Sequence, residues 1–197
     1  PMWRGNSANG WGIINGCEHV GYTIHKVIGM LDAGPIYYQF KYPYIEGQTY
    51  YDARIGMYND YSIKIPSILY DIFNEKIITK SQNNQHFVYC TKFLPIDGIV
   101  DWNESTDTIL RRFYVFAPPL GTVLKFSFKG NEYYILKISS IPGFASSKGV
   151  PGSIVYKDNH SIWIKTGDTA ISVEKIMSDG LELDIPKTFI IGQRIFN

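Results

Sequence analysis

The sequence predicts an α/β segment followed by a small all-β segment, and three observations carry this prediction. In the first 80 residues, β-branched and aromatic runs alternate with apolar residues at helical spacing, which is the pattern of α/β structure. From residue 122 onward, short alternating strands are separated by tight turns, as in an antiparallel barrel or sandwich. The composition, with 45% hydrophobic and 19% charged residues, is that of a compact globular protein.

The first elements follow from local signals. Residues 5–16 open with polar capping candidates and end in Asn-Gly, which predicts a short helix with its C-terminal stop. Residues 20–27 and 35–44 are rich in β-branched and aromatic side chains, so we predict two strands joined by a loop. That loop contains Asp32, followed by Ala-Gly-Pro.

A helical apolar pattern then runs over residues 49–74, with Thr49 as a candidate cap. Pro66 lies inside this pattern and should divide it into two helical pieces, because proline removes a backbone donor and crowds the preceding turn. Residues 80–98 carry few periodic signals and indicate a linker crossing the surface.

The second half reads as one helix followed by strands. Residues 101–113 predict a helix capped by Ser105 or Thr106. Five or six strands are then predicted, five of them at 122–128, 132–139, 152–157, 161–167 and 169–176.

Asp32 is the most distinctive candidate residue. An acidic side chain at a strand end is a common component of sites in α/β proteins. Many aspartates in Gly-Pro loops only cap a turn, and this second interpretation stays open on the residues alone.

Charge and cysteine content exclude several classes of function. The formal net charge of +1 gives no broad electrostatic footprint for nucleic acid, and no apolar run approaches the ~18 residues of a membrane helix, so no membrane partner is expected. Cys17 and Cys90 lack metal or redox spacing, which indicates two free thiols in a reducing compartment such as the cytoplasm, with one disulfide as the alternative. The histidines form no cluster in the sequence, and no metal is predicted.

Several motifs occur in a specific order and spacing. They stand at residues 2–5 (MWRG), 11–16 (WGIING), 21–25 (GYTIH), 31–36 (LDAGPI), 94–103 (LPIDGIVDWN), 118–121 (PPLG), 150–154 (VPGSI) and 164–168 (IKTGD). The first four closely resemble the 10-formyltetrahydrofolate-dependent formyltransferases. The later ones resemble the linker and the small C-terminal β domain of methionyl-tRNA and nucleotide-sugar formyltransferases.

The resemblance implies a domain organisation. Residues 1–80 would be the C-terminal part of a Rossmann-like formyltransferase domain, residues 81–119 a linker and helix, and residues 120–197 a small antiparallel β-barrel of the OB-like kind. Family members carry a further Rossmann-like half, with a catalytic Asn and His just before the Pro-x-x-Arg-Gly motif at which this chain begins. We therefore expect a truncated sequence of a longer enzyme, inactive alone. A fragment or degenerate relative is the alternative.

The resemblance also implies roles for individual residues. Asp32 corresponds to the catalytic aspartate, which orients the family's protonated His and helps to take the proton of the attacking amine. Arg4 could pair with a phosphate of the acceptor, with a structural ion pair as an equal alternative. The residues expected to bind the co-substrate 10-formyltetrahydrofolate, largely by backbone groups, are Ile28, Gly29, Met30 and Leu31.

The acceptor implied by the resemblance is a small-molecule primary amine. We favour a nucleotide-linked amino sugar, because residues from 120 onward carry only 9 basic against 7 acidic side chains, whereas a tRNA demands a basic stripe. Methionyl-tRNA is the alternative. A third hypothesis is a non-catalytic nucleic-acid-binding module using stacking aromatics such as Tyr133, Tyr134 and Trp163. An oligomer is compatible with the sequence.

Overall fold

The protein is described by a computed structural model that covers residues 2–83, 86–119, 123–144 and 149–196. The chain divides into two compact units, Pro1–Phe93 and Leu94–Asn197. The interval 81–119, predicted as a separate linker and helix, is shared between these units.

The first unit contains two short paired sheets and two helices. Its elements are β1 (Trp3–Gly5), α1 (Ala8–Ile14), β2 (His19–His25), β3 (Ile36–Pro43), α2 (Tyr50–Phe73) and β4 (Val88–Cys90). β2 and β3 form an antiparallel hairpin with a bulge between Ile24 and His25. The two strands predicted on either side of Asp32 are thereby confirmed. β2 begins one residue earlier and ends two residues earlier than predicted, and β3 is one residue shorter at each end.

β4 pairs in parallel with β1, so that Arg4 stands opposite Tyr89. The Val88 N–H donates to the Met2 carbonyl at 2.8 Å, and the Asn6 N–H donates to the Cys90 carbonyl at 3.1 Å. The prediction of a surface linker here was wrong for residues 88–90. Three residues are too few to show a strand period, and their pairing depends on a segment more than 80 positions away in the chain.

α2 is one helix of 24 residues with Pro66 inside it, so the predicted division at this proline was wrong. Thr49 caps its first turn, since the side chain accepts a hydrogen bond from the Asp52 N–H at 3.1 Å. Met57 and Ile68 are both buried and lie 11 residues apart, which is about three turns. The apolar face therefore keeps its register across the proline, and packing on both sides holds the helix continuous.

An aromatic cluster attaches α2 to the hairpin. The ring of Tyr22 on β2 contacts Phe40 on β3 at 5.3 Å and Tyr61 on α2 at 4.4 Å between centroids. Burial, followed by the nearby Tyr38 and Asp60, raises the pKa of Tyr22, so this phenol stays neutral.

The second unit is a curled antiparallel sheet with helices at its ends. Its elements are a 3-10 helix (Pro95–Gly98), α3 (Thr106–Val115), β5 (Lys125–Phe128), β6 (Asn131–Ser140), β7 (Ile154–Lys157), β8 (Ile162–Lys165), β9 (Ala170–Ser178), β10 (Leu181–Glu182) and α4 (Ile185–Thr188). The strand order is β5-β6-β9-β8-β7, with β10 paired to β9. The five predicted strands are confirmed within the described residues, and Thr122, with which the first of these predictions begins, lies outside them. Ser105 caps α3 by accepting a hydrogen bond from the Thr108 N–H. β10 and α4 were not predicted.

The core of this unit is aromatic. Phe126 contacts Trp102 at 5.8 Å, Tyr133 at 5.3 Å and Phe189 at 6.1 Å between ring centroids, and all four side chains are buried. Tyr133 is therefore a core residue and is not available to stack on a base. None of the helices in the described part of the chain is long and apolar enough to cross a membrane.

Candidate functional site

The candidate site is built around the connection between β2 and β3, residues 26–35. The connection is closed at its base by the Lys26 N–H, which donates to the Pro35 carbonyl at 2.9 Å. Gly34 must be a glycine, because a Cβ there would lie 1.7 Å from the Lys26 carbonyl oxygen. Asp32 adopts a left-handed backbone conformation with φ 51°. Such a conformation is uncommon outside glycine, although aspartate and asparagine adopt it more readily than most residues.

The Asp32 carboxylate has two neighbours in the first unit. Its Oδ2 accepts a hydrogen bond from the Gly5 N–H at 2.8 Å, and its Oδ1 lies 3.7 Å from His25 Nε2. His25 Nδ1 lies 3.1 Å from the Lys26 carbonyl oxygen, to which a proton on Nδ1 can be donated. The half-exposed Asp32 carboxylate is thus surrounded by groups from β1, from the end of β2 and from the connection.

A cavity of about 640 Å³ adjoins this acid. Its walls include Gly5 from β1, Asn9 from α1, Thr23 and His25 from β2, and Asp32. The Asp32 carboxylate thus lines a cavity, while its catalytic role stays a prediction. In the described ranges, no group of three or more His, Cys, Asp or Glu side chains is arranged to hold a metal ion.

The segment predicted to bind the co-substrate forms the exposed part of the connection. Ile28, Met30 and Leu31 are 46%, 54% and 64% exposed, and none of them lines the cavity. A Cβ on Gly29 would meet no atom within 4 Å, so its lack of a side chain has no packing reason within the described residues. The role of these four residues stays a prediction.

Arg4, predicted to bind substrate, is buried inside the first unit. Its Nη2 donates to Gln82 Oε1 at 2.9 Å, and its guanidinium carbon lies 4.2 Å above the centre of the Phe87 ring. Only 1% of the residue is exposed. Contact with an acceptor phosphate therefore stays a prediction, and the observed contacts are with this chain.

Three residues near the site were not predicted from the sequence. Gln82 Nε2 donates to the carbonyls of Asp32 and Gly34, at 2.9 and 2.7 Å. Asn9 pairs with both backbone groups of Gly21 at 3.0 Å and fixes α1 to β2. His25 carried one signal, its position at the strand end before the Asp32 loop, whereas Gln82 lies in a segment without periodicity.

Cys17 and Cys90 are both free thiols in the structure, as predicted, and the alternative of a disulfide is not realised. The Trp3 Nε1–H donates to Cys17 Sγ at 3.3 Å. Burial raises the pKa of the Cys90 thiol, which keeps it protonated and unreactive.

Comparison with known proteins places this geometry in context. The family model "Formyl transferase, C-terminal domain" matches residues 92–193. A methionyl-tRNA formyltransferase of Streptococcus agalactiae is 25% identical over 199 residues, covering 98% of this chain and 60% of the relative. The chain thus spans about 60% of the length of the curated relatives it matches.

Two solved structures share the fold. An N-formyltransferase from Helicobacter canadensis, in complex with folinic acid and dTDP-3-aminofucose, matches with a TM-score of 0.65 at 18% identity, over 88% of this chain and 62% of that one. A methionyl-tRNA formyltransferase from Clostridium thermocellum matches with a TM-score of 0.56 at 12% identity, over 92% of this chain and 64% of that one. With the family match extending over residues 92–193 of 197, the chain belongs to the formyltransferase family through its C-terminal domain.

Proposed function

We propose that this chain is part of an enzyme that transfers a formyl group from 10-formyltetrahydrofolate to a primary amine. The observation that carries the proposal is the Asp32 carboxylate, which borders a cavity, accepts a hydrogen bond from Gly5 and stands beside His25. A carboxylate so placed can accept a proton from an attacking amine. Membership of the formyltransferase family supports formyl transfer as the reaction.

In the proposed reaction the amine nitrogen forms a bond to the formyl carbon. The bond from that carbon to N10 of the folate then breaks, and the proton that Asp32 takes from the amine is passed on to N10 as it leaves. Groups outside this chain would stabilise the oxyanion, because the resemblance places the family's Asn and His upstream of residue 1. We therefore expect the chain alone to be inactive.

The exposed connection fits the proposed donor. Ile28, Met30 and Leu31 present apolar side chains to solvent next to Asp32, and a flat pterin ring can cover such a surface. Backbone groups of this segment can pair with the polar edge of the ring. The Helicobacter canadensis protein, which shares the fold, holds folinic acid in its crystal structure.

We propose a nucleotide-linked amino sugar as the acceptor. Four basic side chains of the described β-sheet unit from residue 123 onward are paired with acids: Lys125, Lys137, Lys175 and Lys187. Lys157 and Lys165 donate to backbone carbonyls. The four ion pairs reduce the positive charge available to a polyanion, and phosphate contacts by Lys and Arg dominate nucleic-acid affinity. A fold relative bound to dTDP-3-aminofucose supports the same acceptor class.

Methionyl-tRNA is the second candidate acceptor, and the curated relatives that align over nearly the whole chain favour it. The non-catalytic nucleic-acid module is the weakest hypothesis. Tyr133 is buried in the core, and Trp163 packs against Tyr156 at 4.2 Å. The free thiols support the cytoplasm as the proposed compartment.

The test is turnover by the full product of the gene that encodes this chain. Purified protein with 10-formyltetrahydrofolate is offered a panel of amino-sugar nucleotides or charged initiator tRNA, and formylated product is measured by mass spectrometry. Formylation of an amino sugar supports the proposal. Formylation of the tRNA alone would replace the acceptor and keep the reaction, and formylation of neither would overturn both.

A further inference from the structure

We propose that Gln82 is the positioning residue that holds Asp32 in its working geometry, an inference that rests on the proposed function. The Gln82 side chain lies between two kinds of partner. Its Nε2 donates to the Asp32 carbonyl at 2.9 Å and the Gly34 carbonyl at 2.7 Å, and its Oε1 accepts from Arg4 Nη2 at 2.9 Å.

The chemistry of these partners selects an amide. A guanidinium only donates, so the atom facing Arg4 must be an acceptor, while the carbonyls of Asp32 and Gly34 only accept. Glutamate can accept the hydrogen bond from Arg4 but cannot donate to the two carbonyls. Lysine can donate to the carbonyls but cannot accept from Arg4. Among side chains of this length, glutamine alone matches both sides.

The connection needs this support because its backbone is strained and exposed. The left-handed conformation of Asp32 is unfavourable for a residue with a Cβ. Gln82 holds the carbonyls at 32 and 34, and the Tyr89 hydroxyl holds the Leu31 carbonyl at 2.8 Å. Arg4 is itself immobilised by burial and by the Phe87 ring, so the anchor behind Gln82 is rigid.

The test exchanges the amide for an acid in the full gene product. Gln82→Glu should lower kcat at least tenfold, since loss of the two donated hydrogen bonds lets the carboxylate move from its position. In an Asp32→Asn background the same change should alter residual turnover less than twofold, because the two residues act as one unit. Gln48→Glu is the matched control: Gln48 Oε1 accepts from the Ile45 N–H, a bond that a carboxylate preserves.

A second readout does not depend on formyl transfer. The Gly5 N–H is bonded to Asp32 Oδ2, so its hydrogen exchange should accelerate at least tenfold in Gln82→Glu while the hairpin amides stay protected. If the glutamate variant fails to fold, Gln82→Met replaces it in the exchange experiment. Methionine keeps the volume and can neither accept from Arg4 nor donate to the two carbonyls. Unchanged Gly5 exchange would overturn the inference, whereas absence of formyl transfer with accelerated exchange would overturn only the proposed function.

The geometry also points to a second, independent feature, a dimer formed through the outward face of α2. This face, here called the α2 stripe, lies opposite the packed residues Ala53, Met57 and Ile68. Its large side chains are between 37% and 80% exposed. The members of the stripe are Tyr51, Ile55, Tyr58, Pro66, Leu69 and Phe73, with Ser62 at its centre.

The spacing of the stripe fits a second copy of this chain, which we take as its partner. Its members stand 4, 7 and 11 residues on either side of Ser62, so the pattern is the same read in both directions. Two copies crossing antiparallel at this small residue would place Tyr51 against Phe73, Ile55 against Leu69 and Tyr58 against Pro66. A two-fold interface requires such self-complementarity. One pair of helices of about 36 Å length buries less than a standard interface, so micromolar affinity is expected.

Sedimentation of the full gene product tests this dimer. A concentration-dependent dimer is expected, and Ile55→Glu should raise its dissociation constant at least tenfold. Ile63→Glu is the matched control, because Ile63 is 79% exposed on the same helix but lies outside the stripe. A monomer at all concentrations would overturn the inference and indicate that another part of the gene product covers the stripe, as would a dimer insensitive to Ile55→Glu.

Discussion

At the scale of single residues, the Asp32 carboxylate is placed mainly by backbone contacts. The Gly5 N–H donates to it, and Gln82 holds the peptide carbonyls at 32 and 34. A carboxamide can accept the Gly5 bond as well as a carboxylate does. Chemistry and position can therefore be separated at this residue by a single substitution.

Asp32→Asn in the full gene product should lower formyl transfer ~10²-fold or more, because an amide cannot accept the amine proton. Folding and donor affinity should change little, since the amide keeps the size and the Gly5 hydrogen bond. Turnover and donor titration measure the two effects. Asp71→Asn, which removes only an exposed ion pair with Lys76, is the control. Near-normal turnover in Asp32→Asn would show that Asp32 only stabilises the turn.

Two glycines of the connection give opposite expectations. Gly34→Ala places a Cβ 1.7 Å from the Lys26 carbonyl oxygen, so the backbone must move and the first unit should lose roughly 1–3 kcal/mol. Gly29→Ala meets no atom within 4 Å and should change the free energy of unfolding by less than about 0.5 kcal/mol. Urea unfolding of both variants measures these changes in the free energy of unfolding. Equal effects would show that the connection is not built as described.

The sequence pointed to Asp32 as a candidate residue but not to the residues that support it. Asp32 stands in a local motif between two recognisable strands, so its neighbours in sequence reveal it. Gln82 lies 50 positions away and acts through side-chain hydrogen bonds, which leave no periodic signal. Arg4 was visible in a motif, yet its burial under Phe87 depends on the pairing of β1 with β4.

At the scale of elements, α2 shows how packing overrides a local signal. Pro66 removes one helical hydrogen bond, and its interior position should cost up to about 3 kcal/mol relative to alanine. Three residues of the helix, Ala53, Met57 and Ile68, are buried, and they lie on both sides of the proline. The helix therefore continues where the sequence alone predicts an end.

Pro66→Ala should stabilise the first unit by roughly 1–3 kcal/mol, because it restores the missing donor in an exposed part of the helix. The midpoint of urea unfolding measures the gain. Ser67→Ala at the next position should change stability by no more than about 0.5 kcal/mol. Destabilisation by Pro66→Ala would mean that the proline ring makes contacts that matter to the fold.

Long or capped elements were predictable, and short ones were not. The hairpin strands, α3 with its Ser105 cap and the main strands of the second unit carry period or capping signals. β4 has three residues, β10 two and α4 four, which is too short for either period to appear. Their placement comes from tertiary pairing, a kind of information that a single sequence does not display.

At the scale of the whole molecule, the second unit gathers carboxyl groups with lowered pKa values. Burial raises the pKa of Asp168, but hydrogen bonds from the N–H groups of Thr106 and Thr169 and from the Thr166 hydroxyl lower it more. Lysine partners and donated hydrogen bonds lower the pKa of four more: Glu132, Asp158, Glu174 and Asp184. The pKa of Glu104 shifts in the opposite direction, because burial raises it.

The second unit should therefore lose stability in acid. A carboxyl whose folded pKa lies below its unfolded pKa of about 4 stabilises the fold above that value, and the contribution is lost as pH falls through the folded pKa. Hydrogen exchange of the β9 amides between pH 5 and pH 2.5 measures this, corrected for intrinsic exchange rates. Asp168→Asn should flatten the dependence, and a stability that rises in acid would contradict it.

The left-handed backbone at Asp32 also limits how this position can drift in evolution. The proposed proton transfer requires an acid, while the backbone tolerates glycine, asparagine and aspartate best, and only aspartate satisfies both demands. Glutamate, the nearest chemical substitute, enters with a backbone penalty in addition to its extra methylene. Asparagine carries no such backbone penalty, so the substitution that is easiest to accept removes the proton acceptor and preserves the fold. Lineages that abandon the reaction should thus retain a well-folded protein with asparagine at this position.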